Sequence, residues 1–564
     1  PNIYSCLTTT KFEIKLEKIS GGSLITKILY KNGVNKAFCV PGESYLGILE
    51  AIRLYKKKFD LVVCRHEGGA SYMAEAYGRL TKTPGVCMVT RGPGACNAAI
   101  GVHTAYHEGS PMILFVGQVP VSSLSKNAFQ SINPDKVFKS LCKYSVTIKS
   151  PNQIYEIVEK AIKISLEGKP GPVVVTVPEE IQYAMVDDKE VKHYLHKPLK
   201  PNLKKISLYT NLLKRAKKPI IILSGSKWTR STKKDLEIFS KSNSVPIAVT
   251  FRKGDLFDNQ NKNFVGSLGV GPDPNLISYV KKSDLILLIG GEFGEIETNK
   301  FSYLIKATQK QKIYHVTDDP RLFEKTNFEI LKSDLGVFCE ILSKLKLEKN
   351  YFLEKSTNSL RNSYENYRIP IIFKNKFNPG MAVKDISENL PDDTIITAGA
   401  GNYTHFILRH HIFRKLNTLL APINAPMGYS VPSSITASLI NKKREIICYA
   451  GDGCFMMNFQ EIVIAVKRNL KITFIIFNNG IYGSIRMHQE FKYPGKTIAT
   501  DLDNPDFLSL AKSFGLKASK VNNPKEMFKS YKKLRNSYEG PILINMHTDP
   551  EIINPQKTIN ELRH

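Results

Sequence analysis

Two short polar turns, each placed directly after an apolar run, constrain this chain more than any other feature. Gly451-Asp452-Gly453 follows the run that ends at Ala450, and Asn478-Asn479 ends the run that begins at Ile472. Both runs have the length and composition of buried strands in a parallel α/β sheet. Ligands of such sheets bind beyond the carboxyl ends of the strands. The pattern therefore predicts a binding site in which the two turns meet at one edge of a sheet.

The residue types in these turns predict a metal-bound diphosphate. Asp and Asn side chains offer the hard oxygen ligands that Mg²⁺ prefers, so we predict Asp452 and Asn479 as metal ligands, with the backbone carbonyl of Ile481 as a third. Gly451 and Gly453 would let the backbone approach the phosphates without a Cβ. A helix after Gly453 would direct its N-terminal amides at the same phosphates. An ordinary strand-end turn is the alternative interpretation.

Short apolar runs alternate with longer helical patterns along the whole chain, which predicts an α/β protein of three consecutive open parallel-sheet domains. The predicted domains cover residues 19–184, 206–347 and 379–548 of the 564 residues. A Lys/Pro-rich linker, Asp187–Lys205, and a polar stretch, Glu348–Lys376, separate them. The predicted strands are Lys36–Val40, Asp60–Cys64, Gly85–Thr90, Met112–Val116, Pro172–Val177, Pro219–Leu223, Val245–Thr250, Leu285–Ile289, Lys312–Val316, Thr394–Thr397, Glu445–Ala450, Ile472–Asn478 and Pro541–Met546.

The composition narrows the function classes. The formal net charge of +29 comes from lysines spread along amphipathic helical stretches, so we interpret it as a solvated surface rather than a nucleic-acid interface. No apolar run reaches membrane-spanning length, and Pro1 to Lys18 lack the apolar core of a signal peptide, so we expect no membrane association and a cytoplasmic location. The nine cysteines form no C-x-x-C pair, which predicts reduced thiols rather than disulfides or a zinc site.

Two segments of the first block follow predicted strands in the same way. Glu67 begins a predicted helix after Arg65-His66, where a carboxylate ordinarily complements the helix dipole. If such a carboxylate were shielded from water, its pKa would rise and it could share a proton with a ligand. Gly92-Pro93-Gly94 forms a tight turn before a helix predicted to begin near Ala95, and a purely structural turn is the alternative there.

Together these motifs resemble one family. Glu67 with Gly92-Pro93-Gly94, and Gly451-Asp452-Gly453 with Asn478-Asn479, resemble the thiamine diphosphate (ThDP)-dependent decarboxylases and carboligases, most closely the acetolactate synthase large-subunit group. The resemblance extends from about Gly21 to Thr548. It implies that the first domain binds the pyrimidine ring and the third the diphosphate, while the middle domain often carries FAD.

The resemblance also implies an assembly. In this family the two cofactor-binding domains of one active site come from different subunits, which implies an obligate homodimer or homotetramer with active sites at the subunit interface. Whether FAD is bound and whether a small regulatory subunit attaches are left open.

Roles for individual residues follow from the resemblance alone. Glu67 would share a proton with the aminopyrimidine, and Met427 would support the bent cofactor, although a Met there is also ordinary core. Phe129 and Gln130 resemble a stretch near the synthase active site, where simple decarboxylases carry a His pair. The remaining implied cofactor contacts are Gly92, Pro93, Asn97, Gly401, Asn402, Gly451, Asp452, Gly453, Asn479, Tyr482 and Gly483.

The implied reaction is decarboxylation of a small-molecule 2-oxoacid such as pyruvate, followed by carboligation to a second carbonyl to give 2-acetolactate. Three departures keep an alternative open, another ThDP-dependent lyase or transferase with a different 2-oxoacid or a non-carboxylate acceptor. His488 stands where the synthases have Trp, and Gly291 to Ile296 lack the arginines that bind the acceptor in that family. Glu292 would repel a second oxoacid unless Arg486 or Arg252 compensates.

Two further alternatives concern catalysis and the flavin. A ThDP-binding regulatory subunit without catalysis is disfavoured, because the chain carries both Glu67 and Asp452. Ser224-Gly225-Ser226 could be the glycine turn of a flavin site or a plain strand-end turn.

Overall fold

Three consecutive parallel sheets of six strands form the framework of the protein. The structure, a computed structural model, describes residues 17–124, 126–303, 311–322 and 328–563. The predicted class of three open parallel α/β domains is confirmed. Most of the N-terminal segment in which we sought a signal peptide lies outside the described residues. Within the described part, no helix has the combination of length and hydrophobicity that crossing a membrane requires.

In the first domain, helices pack on both faces of a six-stranded sheet. Its strands are β1 (Lys18–Ser20), β2 (Lys36–Cys39), β3 (Asp60–Val63), β4 (Gly85–Val89), β5 (Met112–Gln118), β6 (Tyr144–Thr147), β7 (Pro172–Pro178) and β8 (Met185–Asp187), of which β1 and β8 form a separate antiparallel pair. Its helices are α1 (Gly21–Lys31), α2 (Leu46–Leu54), α3 (Glu67–Thr81), α4 (Pro93–Glu108), α5 (Pro134–Val137), α6 (Ile154–Leu166) and α7 (Glu179–Tyr183).

The middle domain has the strand order β11-β10-β9-β12-β13-β14, the arrangement of dinucleotide-binding folds. Its strands are β9 (Pro219–Leu223), β10 (Ile247–Val249), β11 (Phe264–Ser267), β12 (Leu285–Ile289), β13 (Lys312–Thr317) and β14 (Glu329–Lys332). Its helices are α8 (Leu203–Arg215), α9 (Arg230–Ser242), α10 (Pro274–Lys282) and α11 (Leu335–Ser343), and α12 (Tyr351–Tyr367) leads to the third domain.

The third domain repeats the strand order of the first. Its strands are β15 (Ile395–Thr397), β16 (Leu419–Leu420), β17 (Ile446–Gly451), β18 (Ile472–Asn478), β19 (Lys517–Val521) and β20 (Ile542–His547). Its helices are α13 (Pro379–Asn389), α14 (Tyr403–His410), α15 (Ser430–Ile440), α16 (Asp452–Met456), α17 (Ile462–Lys467), α18 (Gly483–Lys492), α19 (Phe507–Ser513), α20 (Met527–Ser537) and α21 (Ile559–Arg563).

The first and third sheets therefore share one topology, and the middle sheet has another. The orders β3-β2-β4-β5-β7-β6 and β16-β15-β17-β18-β20-β19 become identical when each sheet is numbered from its own first strand. In both sheets the second strand lies on one side of the first and the third strand on the other side. The connections therefore leave in opposite directions across the sheet, which opens a crevice between β2 and β4 and between β15 and β17. Ligands of open α/β sheets bind at this switch point.

The predicted strands all occur, with ends that shift by at most two residues, whereas five strands of the three large sheets were not predicted. All five lie at the edge of a sheet. Strand β19 has only one fully buried residue, Val521, and β16 has two residues in all. Because an edge strand buries less side-chain surface than a central one, its sequence lacks the continuous apolar run that marks a buried parallel strand. The other unpredicted strands are β6, β11 and β14.

A buried carboxylate joins the three domains. Glu108, the last residue of α4, pairs with Arg79 of the same domain at 3.2 Å and with Lys253 of the middle domain. Its second oxygen accepts a hydrogen bond of 3.0 Å from the backbone amide of Ile423 in the third domain. Burial alone would raise the pKa of Glu108, but Arg79 and Lys253 lower it below its usual range. The carboxylate therefore stays charged and holds all three domains at one point.

Replacement of Glu108 by Gln would leave two buried cations without their counter-charge. We expect Glu108→Gln to lower the free energy of unfolding by about 3–5 kcal/mol, the cost of breaking a buried ion pair on one side. The measurement is the midpoint of thermal unfolding. Glu50→Gln is the matched control, because Glu50 pairs with Arg53 on the exposed surface, and it should leave the midpoint unchanged. Equal midpoints for both variants would contradict the role given to Glu108.

Candidate functional site

A cavity of about 230 Å³ lies at the switch point of the third sheet. The ends of β15, β17 and β18 form its floor, and α14, α16 and α18 begin at its edge. All predicted site residues of the third domain line this cavity: Gly401, Asn402, Met427, Gly451, Asp452, Gly453, Asn479, Ile481, Tyr482 and Gly483. We refer to it below as the cofactor cavity.

Asp452 is the best-fixed polar group of the cofactor cavity. Its Oδ2 accepts hydrogen bonds from the amides of Asn479 at 3.1 Å and Gly480 at 2.7 Å, and from the Asn504 side chain at 2.9 Å. Its Oδ1 accepts from the amide of Gly453 at 2.8 Å. Burial raises the pKa of Asp452, and these hydrogen bonds offset part of that rise. The carboxylate thus ties the turn after β17 to the turn after β18, as the sequence pattern predicts.

The oxygen atoms of this turn pair fit a hard divalent cation. Oδ1 of Asp452 receives a single hydrogen bond, so it retains acceptor capacity toward the cavity. Oδ1 of Asn479 accepts only a long bond of 3.3 Å from the amide of Ile481. Carboxylate, amide and carbonyl oxygens are the donor set that Mg²⁺ and Ca²⁺ prefer. The residues present therefore fit a metal-bound diphosphate at this edge of the sheet.

Two details of the cofactor cavity differ from the prediction. Helix α16 begins at Asp452 itself and has only five residues, so the predicted helix after Gly453 starts earlier and is short. Asn402 uses its side chain within the protein, because Nδ2 donates to the carbonyl of Ile553 at 2.8 Å and Oδ1 accepts from Ser484 at 2.7 Å. Asn402 therefore fixes the start of α18 against the C-terminal segment.

Asn504 is a site residue that the sequence analysis missed. Its Nδ2 donates to Asp452 and also to Oδ1 of Asn478 at 3.2 Å. It lies in an irregular loop outside every strand and helix, and no motif surrounds it. The pairing of this loop with the segment after Asn479 brings it close, since the amide of Tyr482 donates to the carbonyl of Thr500 at 2.7 Å.

The predicted residues of the first domain form a separate cluster. Nδ2 of Asn97 donates to Oε2 of Glu67 at 2.9 Å. A Cβ added to Gly92, whose φ is +51°, would lie 2.3 Å from the carbonyl oxygen of Gln130, so only glycine permits this approach. Arg91 donates to the carbonyl of Phe129 at 3.1 Å. Helix α4 begins at Pro93, two residues before the predicted start.

Glu67 is only partly shielded within one chain. It is half-buried, at the first position of α3, and the described lining of the cofactor cavity includes no residue of the first domain. The burial that the sequence analysis expected for this carboxylate is therefore not provided by the single chain. Phe129, close by, is 76% exposed, and Ile100, one turn beyond Asn97 on α4, is 41% exposed. The surface beside Glu67 is thus partly apolar and open.

The third domain of the same chain nevertheless supports the turn before Glu67. Glu461, fully buried between α16 and α17, accepts hydrogen bonds of 3.0 Å and 2.9 Å from the amides of Arg65 and His66. Further along α3, Tyr72 donates to the carbonyl of Met427 at 3.1 Å. One chain therefore holds the Glu67 turn firmly while keeping it outside its own cofactor cavity.

The departures noted in the sequence lie away from the cofactor cavity. His488 is exposed on α18. Arg486 is paired with Asp501 and donates to Thr500 at 2.7 Å. Glu292 lines a different cavity, in the middle domain, and pairs with Lys169 at 3.2 Å. Its charge therefore faces the middle-domain cavity and not the diphosphate-side residues of this chain.

Comparison with known proteins agrees with this arrangement. The N-terminal thiamine pyrophosphate (TPP) binding domain of thiamine pyrophosphate enzymes matches residues 19–137, the central domain matches 206–344, and the C-terminal TPP binding domain matches 399–546. The chain therefore belongs to the thiamine pyrophosphate enzymes.

Similar proteins narrow the class. The acetolactate synthase large subunit of Buchnera aphidicola subsp. Acyrthosiphon pisum is 27% identical over 91% of this chain and 91% of its own length. The mitochondrial acetolactate synthase catalytic subunit of Saccharomyces cerevisiae is 26% identical, covering 95% of this chain and 81% of its own. The isozyme 2 large subunit of Escherichia coli is 25% identical, covering 94% and 96%. The chain is an enzyme of the acetolactate synthase type.

The buried carboxylate of Glu461 predicts a specific pH dependence. Burial raises the pKa of Glu461 to about 7 in the folded protein, well above that of an unfolded Glu. The stabilisation that the protonated Glu461 contributes is therefore fully present below the pKa of Glu in the unfolded chain, and it is lost as the pH rises through about 7. Glu461→Gln keeps an oxygen for the two amides but does not titrate. As the pH rises from about 5 to about 8, we expect the free energy of unfolding of Glu461→Gln to increase relative to that of the wild type by up to roughly 3 kcal/mol.

The check is the thermal midpoint of both proteins across this pH range. A difference between them that stays constant with pH would show that Glu461 does not titrate as described. Glu461→Ala, which removes the acceptor oxygens too, should be less stable than Glu461→Gln at every pH, because the amides of Arg65 and His66 lose their partner.

Proposed function

We propose that the protein decarboxylates a 2-oxoacid such as pyruvate and joins the resulting two-carbon unit to a second carbonyl compound. The observation that carries this proposal is the cofactor cavity, where a buried Asp452 connects two strand-end turns at the switch point of a sheet. Asp452, Asn479 and the carbonyl of Ile481 would hold Mg²⁺, and through it the diphosphate of ThDP. When bound, ThDP supplies a thiazolium ring that accepts the electron pair released by decarboxylation.

In this proposal Glu67 holds and moves a proton at the pyrimidine end of the cofactor. Asn97 donates to one carboxylate oxygen at 2.9 Å, which fixes the side chain and leaves the other oxygen available. The adjacent glycine turn, with Gly92 and Pro93, offers a flat wall against which a ring can lie. Met427 also lines the cofactor cavity, and its flexible thioether side chain would pack against the bound cofactor.

We further propose that a second copy of the chain completes each site. Glu67 is half-buried and the surface beside it carries the exposed side chains of Phe129 and Ile100, while the cofactor cavity of the same chain contains only residues of the third domain within its described lining. A homodimer in which the first domain of one chain covers the cofactor cavity of the other would bury these side chains and shield Glu67 from water. A homotetramer would contain two such pairs. The relatives are named large or catalytic subunits, which supports a further small subunit.

A specific observation favours the alternative acceptor. No Arg or Lys is among the described residues that line the cofactor cavity. Arg486 is neutralised by Asp501, and Arg252 lies behind the cavity, where its Nη1 donates to the carbonyl of Gly399 at 2.7 Å. A second oxoacid would therefore find no free cation in this chain's half of the site. A different 2-oxoacid, or an acceptor without a carboxylate, is the second candidate.

Substitution of Glu67 separates catalysis from cofactor binding. We expect Glu67→Gln to retain ThDP and the fold but to lose turnover by a factor of about 100 or more, the contribution typical of a positioned acid–base group. We expect Asp452→Ala to lose ThDP affinity itself. Glu156→Gln, on the exposed face of α6, is the control and should behave as the wild type. Consumption of pyruvate is measured together with ThDP binding by calorimetry.

The product assay distinguishes the two candidates. Acetolactate formed from pyruvate alone is detected as acetoin after acidification, and a panel of other 2-oxoacids and of aldehydes as acceptors is run beside it. Product from pyruvate alone supports the acetolactate reaction, and product only with an added acceptor supports the alternative. Near-wild-type turnover of Glu67→Gln would overturn both.

The middle domain supports a nucleotide-bearing cofactor. A cavity of about 400 Å³ lies at the switch point between β9 and β12, where Ser224-Gly225-Ser226 and Gly290-Gly291 end the two strands. A Cβ on Gly225, whose φ is +84°, would approach the amide of Gly291 to 2.6 Å, so glycine allows the two turns to close together. This is where dinucleotides bind in sheets of this strand order. We propose FAD as the occupant.

The flavin proposal predicts a yellow protein. Purified under native conditions, the protein should show flavin absorbance in the visible range, and denaturation should release FAD identifiable by mass. Ser226→Asp, which adds a negative charge at the rim of this cavity, should reduce the bound flavin, since the pyrophosphate of FAD is anionic. A colourless protein that does not take up added FAD would contradict the proposal.

A further inference from the structure

A third cavity, lined by arginines, lies at the junction of the middle and third domains. Its volume is about 200 Å³. The loop between β11 and α10 and the end of α12 form one side, and α14, Met487 of α18 and residues 554–556 form the other. We call it the junction cavity. No role in the function proposed above involves it.

Three arginines line the junction cavity, and two of them have no counter-charge. Arg252 and Arg409 form no ion pair with any described residue, while Arg368 shares Glu365 with Arg361. Burial and then Arg252 lower the pKa of the lining His405 to about 4, so this ring is neutral at neutral pH. The cavity therefore carries an excess of positive charge.

The single acidic lining residue is already engaged. Asp273 accepts hydrogen bonds from the amide of Asn275 at 2.9 Å, where it caps α10, and from the hydroxyl of Ser363 at 2.6 Å. It is 5% exposed. Its one negative charge, with that of Glu365, does not balance the guanidinium groups around it.

Buried donors without partners accompany this charge. Arg252 is 3% exposed, its two Nη atoms donate to neighbouring oxygens, and its Nε has no hydrogen-bond partner. Nε of Arg368 is likewise without a partner. Nε of Arg409 donates to the carbonyl of Tyr367 at 2.6 Å, and its guanidinium stacks on the ring of Tyr367 at 3.7 Å. Charged donors left unpaired inside a protein are costly unless a ligand of opposite charge satisfies them.

We propose that the junction cavity is a binding site for one small anion that carries a carboxylate or phosphate group. Guanidinium groups bind planar oxyanions through paired hydrogen bonds. The groups available for this are the Nη atoms of Arg409, which donate to no described residue, and the unpartnered Nε of Arg368. The volume limits the ligand to a small molecule. The aromatic side of the cavity, formed by Tyr364 and Tyr367, accommodates the non-ionic part.

The junction cavity and the cofactor cavity share a wall. Sδ of Met487, on the junction side, lies 3.5 Å from Nδ2 of Asn402, which lines the cofactor cavity. Asn402 also binds the carbonyl of Ile553, and the next residue, Asn554, lines the junction cavity. An anion in the junction cavity therefore contacts the residues that fix the start of α18.

The test is calorimetric titration of the whole protein, first saturated with ThDP and Mg²⁺ so that the diphosphate site is filled. Inorganic phosphate is the probe in one arm and acetate in the other. We expect saturable binding of one anion per chain in at least one arm, and the arm that binds identifies the group. Arg409→Gln should weaken this binding about tenfold or more, the scale of one charge-assisted hydrogen bond.

A second variant tests the same cavity independently if Arg409→Gln folds poorly. Gln556 is exposed at the rim, so Gln556→Glu places a negative charge beside the cavity without disturbing the core, and it should also weaken binding. Gln260→Glu, an exposed change on the middle domain, is the matched control and should bind as the wild type. Absence of saturable binding of both probes, or wild-type affinity in both rim and arginine variants, would overturn the proposal.

Discussion

The buried carboxylate of Glu108 is the interaction on which the arrangement of the molecule depends. It forms ion pairs with Arg79 and Lys253 and accepts a hydrogen bond from the backbone amide of Ile423, so one residue contacts all three domains. Because buried charges are stable only when paired, the domains cannot separate or rotate at this point without exposing an unpaired ion. The position of α4, and with it that of α3 and Glu67, is thereby fixed relative to the third domain.

This fixed geometry supports the proposed division of the site, in which one chain holds two half-sites and a second copy completes each of them. Glu461 supports the Glu67 turn from the third domain, while the cofactor cavity of that domain has Asp452 in its lining and no described residue of the first domain. The first and third sheets have the same strand order, and in each sheet the half-site follows the carboxyl ends of strands, after β3 and β4 in the first and after β17 and β18 in the third. In the proposed function, two copies of one topology provide the pyrimidine side and the diphosphate side of a thiamine site.

Sequence patterns predicted the sheets and the meeting of the two polar turns at one sheet edge, because both depend on local signals. Apolar strands followed by Gly-Asp-Gly and by Asn-Asn place side chains at a sheet edge without reference to the rest of the chain. Asn504, Glu461 and Glu108 could not be predicted, because each acts on a residue far away in sequence and none belongs to a motif. The edge strands β6, β14 and β19 were missed for a related reason, since exposure makes their composition polar. The junction cavity arises from arginines that three separate segments contribute.

The central claim is that Glu67 of one chain and Asp452 of another act on the same cofactor. Mixing of two inactive chains tests it most directly. Glu67→Gln and Asp452→Ala chains, carrying different affinity tags, are co-expressed, and the hybrid that carries both tags is purified and assayed for decarboxylation of 2-oxoacids. If the site is shared, the hybrid contains one intact site made of the unaltered Glu67 and the unaltered Asp452, and activity returns to about half that of the wild type per dimer. A hybrid as inactive as either parent would contradict the account.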